Sequence, residues 1–153
     1  MTGLLIVVML LGNGLAAGVM FSTVIGIVPM TLAQSYDRYV ETIQFLWPRY
    51  DPFMPITHAL TVVLDLALVV TVDDPTARAL FGAAGVLLVV VMAISVIKNV
   101  PINRYVMSLD AAAPPADWER RDPRTRWRAW NLLRTGLAIA GLAANAAGAA
   151  ALM

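Results

Sequence analysis

The side chains able to do chemistry fall into three short groups. His58, Thr61 and Asp65 follow one another at offsets of three, four and seven, so on a helix they share one face. Lys98, Asn99, Asn103 and Arg104 surround Pro101. Trp127, Asn131 and Arg134 repeat the three-and-four spacing, with Trp130 one residue before Asn131. An imidazole can take or give a proton near neutral pH. Carboxamides donate and accept hydrogen bonds, and lysine and arginine hold negative charge. Just as informative is what the chain lacks. With no cysteine, a disulfide framework, a thiolate metal site and a cysteine nucleophile are excluded. His58 is the one histidine, so a multi-histidine metal site within one chain is excluded, and two-histidine haem ligation would need a second subunit.

The elements that must position these groups are membrane spans. Of 153 residues 59% are apolar and 14% charged, and mean hydropathy is +0.74, whereas a soluble domain carries about a quarter charged residues. The net charge of +1 gives no pull toward nucleic acid. Uncharged runs predict an all-α, integral membrane four-helix bundle, a single transmembrane domain over 1–153 with spans at about 3–28, 53–72, 79–97 and 129–152. Pro29 kinks the end of the first. That first run has no basic residue before Arg38 and is too long for a secretory leader, so it is expected to be a retained span.

Ten of the eleven basic residues, all but Arg78, lie in the segments following spans one and three. The positive-inside rule then places the chain in the cell membrane with both basic loops cytoplasmic and both termini outside. Asp73-Asp74-Pro75-Thr76 is a tight outer turn that also starts span three. The loops carry short amphipathic helices. Tyr36 to Trp47 presents Tyr39, Ile43, Leu46 and Trp47 on one face and is expected to end at Pro48 and Pro52, and Ala116 to Arg128 is expected to form a second short helix, with Trp118 and Trp127 as interfacial anchors. Gly14, Gly18, Ser22 and Gly26 form a small-residue stripe, expected to pack on the alanine- and glycine-rich fourth span; homo-oligomerisation is the alternative.

Polar groups inside a span cost free energy and usually face a cavity or a partner. The three groups all fall in the cytoplasmic half, so one polar pocket opening to the cytoplasm accounts for them together, His58, Asn99, Asn103, Asn131 and Arg134 lining it. Each also has a plain structural use. Lys98 and Arg104 can snorkel, Arg134 can pair with Asp65, and Asn131 can join helices, as Asn13 is expected to do in the outer half.

Lys98-Asn99-Val100-Pro101-Ile102-Asn103-Arg104, followed by Trp127-Arg128-Ala129-Trp130-Asn131-Leu132-Leu133-Arg134-Thr135, resembles the paired signature of the DUF1772, or anthrone-oxygenase-like, family of small four-span membrane proteins. Gly18-Val19-Met20-Phe21-Ser22-Thr23 and Val28-Pro29 are similar to that family's opening, although Ile27-Val28-Pro29 stands where Met-Pro is frequent. The resemblance implies a lipophilic, flat, phenolic substrate of the anthrone type oxidised with O2. Such chemistry needs a base for an acidic methylene and positive groups for the enolate and peroxide. On that reading His58, Arg134 and Asn131 are catalytic, and Asp65, Lys98, Asn99, Asn103, Arg104, Trp127 and Trp130 bind the substrate. No flavin or nucleotide fingerprint and too few metal ligands are present, so neither a cofactor nor a metal is expected. A cofactor-free cyclase or isomerase, and a non-enzymatic protein whose motifs lock the bundle, are the alternatives.

Overall fold

Long apolar runs leave the chain one way to satisfy its backbone in lipid, by intrahelical hydrogen bonds. The computed structural model, which describes residues 2–153, is helical throughout, with no strand among them. The helices are α1 (Thr2–Ser22), α2 (Val28–Ala33), α3 (Tyr36–Tyr50), α4 (Phe53–Thr71), α5 (Pro75–Ile94), α6 (Val100–Met107), α7 (Trp118–Arg121) and α8 (Arg124–Ala150). Four helical stretches are long and apolar enough to cross a membrane, and the protein is a multi-pass membrane bundle. Around its ring the neighbours are α1–α4, α4–α5, α5–α8 and α8–α1.

Two single turns of π-helix, Thr23–Ile27 and Ser95–Asn99, interrupt the first and third spans. Each is followed by Val-Pro, and the N–H of Val28 or Val100 reaches back five residues, to the carbonyl of Thr23 or Ser95. Proline offers no N–H to the turn before it, and the wider register absorbs that loss.

Where helices approach closely, the fourth span has small residues. A Cβ on Gly148 would sit 2.9 Å from the Phe81 ring, and one on Gly141 3.5 Å from Leu88. The glycine stripe of α1 does not make this contact. Cβ atoms on Gly14, Gly18 and Gly26 would meet nothing within 4 Å, and Ser22 is exposed. The expected packing of the stripe on the fourth span is therefore corrected: α1 meets α8 through Ala17 and Met20 against Ala138, and the stripe points outward. A helix has one inner face, and here the bulkier residues fill it.

The ends of the elements also differ from expectation. α3 runs through Pro48 and stops at Asp51-Pro52. The second loop helix is only the turn α7, and residues 124–128 instead join the fourth span as a continuous α8. Trp127 consequently lies inside, only 6% exposed, rather than at an interface, while Trp118 packs edge-on against Tyr36. Arg124 fixes that junction. It forms an ion pair with Asp122 at 2.5 Å and donates to the carbonyls of Thr31 and Gln34, at 3.2 and 2.7 Å, at the end of α2. Asp74 caps α5 as expected, accepting from the Ala77 N–H at 2.7 Å.

Candidate functional site

At the end of the bundle that carries the basic loops, the helices enclose a cavity of about 430 Å3. Its size suits a small organic ligand. Both π-turns contribute wall, through Thr23 and Ile27 from one and Ser95, Val96 and Asn99 from the other. Amphipathic α3 lays Ile43, Leu46, Trp47 and Tyr50 across it, and Met20, Met54 and Met92 add flexible apolar surface. The face predicted for α3 is thus the buried one.

His58 is buried in the wall, with Nδ1 2.7 Å from the Met54 carbonyl. A carbonyl can only accept, so Nδ1 carries the proton and Nε2 keeps its lone pair. That Nε2 has no hydrogen-bond partner.

Arg134 is the half-buried cation of the cavity. Its Nε and Nη2 donate to Asn131 Oδ1 at 3.1 and 2.6 Å, and its Nη1 donates to Ser95 Oγ at 3.0 Å. Both holders are themselves held. Asn131 Nδ2 donates to the Trp127 carbonyl at 2.9 Å, and Ser95 Oγ to the Val91 carbonyl at 2.8 Å. Trp127 Nε1 donates to Asn103 Oδ1 at 3.0 Å, extending the network to α6. The guanidinium is thus oriented by neutral oxygens. No carboxylate pairs with it among the described residues.

Asn99 completes the polar lining. It is fully buried, and neither its Oδ1 nor its Nδ2 has a partner. Leaving such a group unpaired costs about 1–3 kcal/mol.

Of the residues expected to share one site, the cavity is lined by His58, Asn99, Asn103, Arg104, Trp127 and Arg134. Asn131 lies outside that lining and holds Arg134. Three expected members are elsewhere. Lys98 is exposed and lies 5.2 Å from the Trp130 ring centre, so the pair engages itself outside the cavity wall. Asp65 lies seven residues further along α4, outside the lining, and makes no ion pair with Arg134. The reason is distance along a rigid rod: seven residues of helix are about 10 Å. Sequence reasoning missed Ser95, Trp47, Tyr50 and Asp51. Ser95 is a small hydroxyl in an apolar run, and only its position one residue into a proline-induced π-turn marks it.

The family model for Anthrone oxygenase matches residues 45–144, which include every polar lining residue named above except Thr23. No curated protein and no solved structure is similar enough to match the chain.

Proposed function

The chain belongs to the anthrone oxygenase family, and on that premise we propose that its cavity takes a flat, lipophilic, phenolic ketone of the anthrone type and oxidises it with O2. The observation that carries this is the unpartnered Nε2 of His58, fixed as a base in the same cavity as an uncompensated guanidinium. His58 removes a proton from the methylene between the rings, and Arg134 with Asn99 stabilises the charge that moves onto the ketone oxygen. The electron-rich carbon passes its electrons to O2 and forms a hydroperoxide. Loss of water across the remaining C–H and the O–O bond leaves the quinone carbonyl. One O2 is consumed, one oxygen atom stays in the product and the other leaves as water. The base, the guanidinium and the amides carry these steps with no resident cofactor, and the rings lie among Met20, Met54, Met92 and Trp127.

Purified protein in nanodiscs, supplied with an anthrone, should consume O2 and form quinone in equal amounts, with turnover that survives chelators and stops under nitrogen. Conversion of a lipophilic substrate without O2 would replace this reading with a cyclase or isomerase. Retained turnover in His58→Ala would remove the base from the mechanism. We also propose that the cavity end faces the cytoplasm, supported by the basic loops at that end. Reporter fusions at Met153 and within 111–116 should then report opposite compartments.

A further inference from the structure

A second polar centre lies about 10 Å along α4 from His58, toward the end of the bundle that bears both termini. Asn13 of α1, Asp65 of α4 and Asn145 of α8 are 1%, 1% and 0% exposed. None of their six side-chain oxygen and nitrogen atoms has a hydrogen-bond partner. Packing brings them to one level. A Cβ on Gly12, beside Asn13, would lie 3.3 Å from Thr61 Oγ1, one turn before Asp65, and one on Gly85 of α5 would lie 3.4 Å from Asp65 Cβ. Gly141 and Gly148, on either side of Asn145, rest on Leu88 and Phe81, on either side of Gly85. The Asn145 carboxamide lies beside the Asp65 carboxylate.

No charge answers Asp65 there. α1 has no ionisable side chain, Arg78 and Lys98 at the two ends of the third span are exposed, and His58 is two turns away. Arg134 lies eleven residues from Asn145, about 16 Å along α8, and is held by Asn131 and Ser95. What four helices enclose is a set of hard oxygen donors: two from the carboxylate, one from each carboxamide, and the spare lone pair of Thr61 Oγ1, whose proton goes to the Thr57 carbonyl. Such donors select hard cations. The low dielectric permits no net charge, so a single carboxylate calls for a single positive charge. We propose that Asn13, Asp65 and Asn145 form a binding site for one dehydrated alkali-metal cation, of the sodium class. The site is independent of the cavity chemistry and stands whether or not the oxygenase reading holds.

The test is the thermal unfolding midpoint of the purified full chain in sodium, potassium or choline chloride at equal ionic strength. Ligand that binds only the folded state raises the midpoint, so saturating sodium should raise it by about 5 °C over choline. The potassium arm reports which alkali cation is preferred. Asp65→Asn keeps the shape and removes the charge, so it should fold, equal or exceed the wild type in choline, and lose the response. Equilibrium dialysis with radiolabelled sodium should give one ion bound per wild-type chain and none in Asp65→Asn. Equal midpoints in sodium, potassium and choline would overturn the proposal. So would a cation response that persists in Asp65→Asn. A midpoint that follows pH alone, with no difference among the salts, would make the occupant a proton and overturn it equally.

Discussion

The two polar centres of this bundle are opposites. The cavity at the basic end holds a cation, Arg134, surrounded by neutral oxygens and open volume. The layer at the other end holds a carboxylate, Asp65, surrounded by carboxamides and lying outside that cavity's lining. In sequence the two charges look like natural partners across neighbouring spans. In the fold they are kept apart, so neither neutralises the other. On the two proposals above, each unpaired group is kept for a ligand: a developing anion in the cavity, a cation in the layer. A direct ion pair would have satisfied both and left neither available.

The largest effect expected from separating the two centres is on the base. His58→Ala should lower quinone formation by on the order of 10²-fold or more while the chain still folds. Next is the guanidinium. Arg134→Lys keeps the charge but cannot hold Asn131 and Ser95 while engaging a ligand, so a loss of roughly tenfold is expected, below the 10²–10³ typical of deleting such a donor outright. Anthrone kinetics in nanodiscs would check both, and equal loss of stability and activity in Arg134→Lys would favour a structural role for the network.

Packing gives a smaller but directional contrast. Gly148→Ala places a methyl 2.9 Å from the Phe81 ring and should destabilise by about 1–3 kcal/mol. Gly18→Ala meets open space on the outward face of α1 and should change stability by less than about 0.5 kcal/mol. Thermal unfolding of the pair tests this, and a change in particle size in Gly18→Leu would show that the stripe holds copies together. The smallest effect belongs to Lys98→Ala, whose ammonium lies over Trp130 outside the cavity wall; turnover should stay within about twofold of wild type, against the cost of about 0.5–1 kcal/mol for an exposed cation–π contact.

The sequence by itself determined the membrane class and the four helices long enough to span, and it marked which residues carry groups able to do chemistry. Uncharged apolar runs admit only helices in lipid, and polar residues there are too few and too costly to be incidental. It also determined the capped start of α5, because Asp74-Pro75 is a local signal. Only the tertiary structure decided which polar residues share a site. Helical spacing groups residues on a face, but it does not say how far along the rod the neighbouring helix presents its own, and that left Asp65 outside the cavity that His58 lines. Rotation about the axis is equally invisible in a span that is apolar all round. It turned the glycine stripe of α1 outward, put Trp127 inside, and left Lys98 and Trp130 to face each other. The π-turns lie between these cases: Pro29 and Pro101 announce a broken register, and the packing decides that both openings face one cavity.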